Sequence, residues 1–66
     1  MFVISREGHL GFWWDGENSV FIEEDSGIFT SRADCLEYLQ KFHTKERAIE
    51  IIMMLKNSKG KSIFSF

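Results

Sequence analysis

The sequence predicts a small α+β domain: an antiparallel β-meander of three to four strands with two helices packed on one face, in a single domain over residues 1–66. Three observations predict it. Short aromatic and β-branched runs up to Phe29 are separated by Gly, Asn and Asp turn signals. Two stretches with apolar residues at helical spacing follow, each behind a hydroxyl residue fit to cap a helix. A last aromatic run, Ser62 to Phe66, reads as a strand again.

Phe2-Val3-Ile4-Ser5-Arg6 reads as the first strand and Glu7-Gly8-His9 as a turn. Leu10 to Trp14 is a second strand. Asp15-Gly16-Glu17-Asn18 reads as a hairpin connection, because Gly and Asn tolerate the positive φ such turns need. Ser19 to Glu24 is then a third strand, and Asp25-Ser26-Gly27 a further turn. Ile28-Phe29 is either a short strand or a plug under the sheet. Ser31 caps a helix, and the Asp34 charge three residues on suits its N-terminus. Cys35, Leu36, Leu39 and Phe42 repeat at helical spacing, with Tyr38 beside them. Thr44 caps a second helix whose stripe is Ala48, Ile51, Ile52 and Leu55. Ile49, Met53 and Met54 widen that stripe beyond the usual roughly 100° arc. Asn57 to Lys61 ends the helix, with Gly60 for the turn. The last strand pairs beside the first or with another chain.

Trp13 and Trp14 stand side by side on a strand, so they face opposite ways. Closing the turn at Asp15–Asn18 sets Trp14 opposite Ser19, Trp13 opposite Val20, Phe12 opposite Phe21 and Gly11 opposite Ile22. Both faces are then apolar, whereas a sheet with one wet side alternates apolar and polar. An exposed Trp forfeits roughly 4–6 kcal/mol of burial, as much as the ~3–5 kcal/mol a core of this size supplies. The second aromatic face therefore needs a cover. The plainer reading folds Phe64 and Phe66 back onto it. The sharper reading is an interaction surface, since aromatics and Met gather where proteins meet. A two-fold homodimer hides a self-complementary patch most simply, through Ile49, Met53, Met54, Phe64 and Phe66.

Charge is unevenly spread. Residues 1–40 hold two cations against eight carboxylates, net −6, and residues 41–66 hold six against two, net +4. An acidic hairpin thus precedes a basic helix and tail. The carboxylates of Asp15, Glu17, Glu23, Glu24 and Asp25, with Trp13 or Trp14 as anchor, form a candidate partner-binding surface that imitates a nucleic-acid backbone in a basic groove. The plainer reading of the same charges is a solvated rim. Lys59 and Lys61 are an alternative site for a nucleotide-like anion at an oligomer interface. A net charge of −2 disfavours a general nucleic-acid binder.

Chemistry is sparse. Gly60-Lys61-Ser62 resembles the end of a phosphate loop, but Leu55 stands where the pattern needs Gly, and a helix precedes it instead of a strand. The acidic residues lack the ligand order and central Gly of a calcium loop. Cys35 and His43 lie eight residues apart, about 12 Å along a helix axis and too far for a thiolate–imidazole pair. No ligand spacing supports zinc. The sequence thus points to a non-enzyme with no metal and no cofactor. A single Cys excludes an internal disulfide and fits a reducing cytoplasm. MFVISREG is too short and too soon charged for a signal peptide, and no apolar run approaches the roughly 20 residues of a membrane span.

The layout of aromatic hairpin, W-D-G-E-N turn and F-T-S-R-A-D-C-L-E-Y-L run into a helix, across residues 10–42, resembles small orphan proteins of bacteriophages. The likeness is one of layout, without a diagnostic motif. It implies an inhibitor that binds and blocks a host or anti-phage defence protein in the host cytoplasm, or an oligomer that sequesters nucleotide signals. The expectation from all of this is a protein-binding domain acting through its acidic aromatic hairpin. A nucleotide-sequestering oligomer and a small structural subunit stand as alternatives.

Overall fold

The computed structural model describes residues 1–58 and 62–66. Its elements are β1 (Phe2–Ile4), β2 (Leu10–Trp13), β3 (Gly27–Phe29), α1 (Arg32–Leu39), α2 (Lys45–Ser58) and β4 (Phe64–Ser65). The four strands form one antiparallel sheet in the order β3-β1-β2-β4. Together with the two helices this is the small α+β fold that the sequence predicts.

The β1–β2 hairpin comes first along the chain and is closed tightly. Ser5 Oγ accepts from the backbone N–H of His9 and of Leu10 at 3.2 and 3.0 Å. Gly8 adopts φ +74°, and a Cβ there would lie 2.5 Å from the Phe42 ring. Only glycine satisfies both demands. The register sets Phe2 opposite Trp13, Val3 opposite Phe12 and Ile4 opposite Gly11. Opposed residues share a face, so Phe2, Ile4, Gly11 and Trp13 look one way, and Val3, Leu10 and Phe12 the other.

The helices cover the first of these faces. Ser31 Oγ accepts from the Asp34 N–H at 3.4 Å and Thr44 Oγ1 from that of Arg47 at 3.2 Å, so both predicted caps are in place. Cys35 and Leu39 from α1, and Ala48, Ile51, Ile52 and Leu55 from α2, are buried with Phe2 and Ile4 in one core. Phe64, opposite Gly11, and Phe66 pack half-buried against it on the helix side, and not across the second aromatic face where the plainer reading of the tail puts them. The Phe66 ring lies on bare Gly11, where a Cβ would come within 2.9 Å.

The predicted second hairpin is not there. Residues 19–24 form no strand, and the expected pairing of Trp14 with Ser19 and Phe12 with Phe21 is absent. The reason is competition for an edge. A strand has two edges, and those of β2 are taken by β1 and by β4, through Leu10–Ser65 and Gly11–Phe64. Phe66 N–H adds a bond to the His9 carbonyl at 2.7 Å. The chain leaves the sheet after Trp13 and reaches the far edge of β1, where Gly27–Phe29 becomes the third strand, Gly27 opposite Ile4. To get there it crosses the face the helices leave open. Val3 on that face is consequently only 3% exposed.

Candidate docking surface

The crossover, residues 14–26, carries five carboxylates and no Lys or Arg. One of the five is already employed. Asp15 Oδ1 accepts from the N–H groups of Glu17 and Asn18 at 2.8 and 3.1 Å, and Oδ2 from Asn18 Nδ2 at 2.8 Å. These donors, the Glu17 N–H first, hold its carboxyl below the ordinary range, since they favour the charged form. Asp15 thus builds its own turn. Glu17, Glu23, Glu24 and Asp25 are exposed, and among the described residues none lies within 4.0 Å of a cation. A second turn follows, with Ser26 N–H on the Glu23 carbonyl at 3.2 Å and Asp25 at φ +70°.

Neither tryptophan is the projecting aromatic. Trp13 meets Phe2 edge-on, with ring centroids 5.0 Å apart, and packs against the core. Trp14 lies past the end of β2, half-buried, with Nε1–H donating to the Asn18 carbonyl at 2.7 Å. The ring that projects is Phe21, 86% exposed and the most open of the large apolar side chains described. Sequence reasoning assigned Phe21 to a strand face. The signal that marks it is its place between two acidic turns.

Beside Phe21 the crossover and the open sheet face enclose a groove in two parts. The apolar part, of about 100 Å³, has Val3, Leu10, Phe12, Phe21, Ile22 and Ile63 among its walls. The polar part, of about 370 Å³, is bounded by Ser5, Arg6, Glu7, His9, Glu23 and Glu24. Ser5, Leu10 and Glu23 belong to both, so the parts adjoin. Ile28, opposite Val3 on the same face, and Val20 in the crossover are exposed apolar side chains as well.

The other predicted positions are dispersed. Ile49 and Met54 are half-buried on α2, and Met53 is exposed. Lys59 and Lys61, the alternative anion site, lie outside the described residues, as does most of the Gly60-Lys61-Ser62 sequence. Cys35 is fully buried, and burial pushes its thiol up from 9.0 to about 12. A thiol so placed is a packing group, not a nucleophile. His43 Nε2 is 2.8 Å from the Gly8 carbonyl, and Tyr38 Oη donates to the carbonyls of Ser5 and Arg6 at 3.1 and 2.8 Å. These two side chains brace the β1–β2 turn against the helices.

Among the described residues no group of three or more His, Cys, Asp or Glu is placed to hold a metal ion, and no helix is long and apolar enough to cross a membrane. Compared with known proteins, the chain matches no protein-family model, no curated protein and no solved structure.

Proposed function

We propose that this protein is a non-enzymatic binding protein that occupies and blocks a basic surface of a protein partner through its acidic crossover. The observation that carries the reading is Phe21, an aromatic ring left 86% exposed on a segment with four outward carboxylates and no cation. An exposed aromatic anchor ringed by one sign of charge suits a pocket rimmed by the opposite sign. The likeness in layout to small bacteriophage proteins makes a host or anti-phage defence protein in the host cytoplasm the partner class. The same carboxylates repel nucleic acid and nucleotides from this face.

A benzophenone amino acid in place of the half-exposed neighbour Val20 tests the reading in the proposed host. A discrete heterologous adduct is expected, and it disappears when Glu23, Glu24 and Asp25 are changed to Lys. An adduct that survives charge reversal refutes the acidic-surface reading. Adducts only at the mass of two copies of this chain favour self-assembly. That second reading has its own support in Met53, 55% exposed one turn from half-buried Ile49 on α2. Light scattering after size exclusion, with Met53→Lys as control, tests it.

A further inference from the structure

The groove has a chemistry of its own, and it deepens the reading above, on which it rests. We infer that it is a peptide-binding site for an extended segment that carries an aliphatic side chain and, two residues on, a Lys or Arg. The apolar part is floored by Val3 and walled by Leu10, Phe12, Phe21, Ile22 and Ile63. At about 100 Å³ it takes one aliphatic side chain.

The adjoining polar part fixes the charge of the occupant. Glu7, Glu23 and Glu24 face it, with Arg6 as the one permanent cation among the described residues. Arg6 stands 3.9 Å from Glu7, both side chains being about 70% exposed. Such a pair is weak in water and competes little with an incoming cation. Glu23 and Glu24 form no ion pair within 4.0 Å among the described residues. A carboxylate or phosphate is repelled there, and a Lys or Arg is attracted.

Geometry makes the two preferences one site. Glu23 and Leu10 line both parts, so side chains two residues apart on one extended segment, which share a face, reach both at once. Strand addition beside β2 is excluded as the binding mode, because β4 holds that edge. The segment lies across the sheet face, under the lip that Phe21 forms.

The test is a ¹H–¹⁵N NMR titration of the full chain with a capped pentapeptide, Ser-Leu-Arg-Lys-Ser, against Ser-Leu-Glu-Glu-Ser. Saturable shifts are expected at the amides of Val3, Leu10, Phe12 and Glu23 with the basic peptide only. Reversing both carboxylates, Glu23→Lys with Glu24→Lys, should weaken binding about tenfold, the sum of two modest surface ion pairs turned repulsive. Both positions are exposed, so an unchanged spectrum elsewhere shows the fold intact. The inference is overturned by equal shifts from both peptides, by shifts confined to the helices, by none at all, or by shifts that follow protein concentration without peptide, which assign the groove to a second copy. A failed titration beside a charge-dependent adduct at position 20 removes the groove and leaves the docking surface standing. Failure of the adduct beside a successful titration does the reverse.

Discussion

Phe21→Ser separates binding from folding. A Phe side chain offers about 150–250 Å², and this one keeps 86% of its residue surface in water. The folded chain therefore hides about 30 Å² of it, worth less than about 1 kcal/mol at ~25 cal/mol per Å². A partner pocket that swallows the ring hides the remaining ~170 Å², a gross gain of about 4 kcal/mol, less about 1 kcal/mol for fixing the rotamer. The substitution should shift the urea midpoint little while weakening partner capture at least about a hundredfold. Tryptophan emission follows unfolding, since Trp13 reports from the core. Loss of 2 kcal/mol of stability would show that the ring is buried, and undiminished capture would show that it anchors nothing. Either result refutes the argument.

Three further outcomes follow from the packing and the titrating groups. Gly8→Ala meets both a positive φ and the Phe42 ring at 2.5 Å, so thermal unfolding should register a loss of about 2–4 kcal/mol. Ile51→Ala empties a fully buried position and costs about 2–5 kcal/mol. That rivals the total stability, and circular dichroism at 25 °C should show a large unfolded fraction. Cys35 titrates near 9.0 when unfolded and about 12 when folded. Its contribution is full below pH 9 and declines as pH rises toward 12, because the unfolded chain then holds fewer protons, by about 1.4 kcal/mol per pH unit. Urea unfolding from pH 8 to 10.5 measures the decline, and Cys35→Ala should flatten it.

The helices were legible because their signals are local. Ser31 and Thr44 cap where a hydroxyl precedes an apolar period, and Ala48, Ile51, Ile52 and Leu55 point one way by spacing alone. The first hairpin was legible for the same reason. The segment 19–24 was not. Val20 and Ile22 alternate with Phe21 as a strand would, yet whether a strand forms there depends on which partner claims the edge of β2, and that is decided by residues 64–65. The site inherits the same division. Its carboxylates could be read from the sequence, but Asp15 turned inward to its own backbone, and the ring that projects is Phe21 and not a tryptophan. Exposure of a ring is a property of the route the chain takes.

That route also orders the assembly of the protein. The β1–β2 hairpin closes over a few residues, whereas β3 must dock across the whole crossover before its pairing with β1 repays the loop entropy. Besides the bonds within its two turns, the crossover is tied by the Trp14 backbone to Met1. It should thus be the late-forming and first-opening unit, exchanging amide hydrogens well before the core of Ile4, Leu39 and Ile51 does. The proposed docking surface can then loosen and reclose on a framework that stays folded, and Phe21 can be re-aimed at no cost to the helices across the sheet.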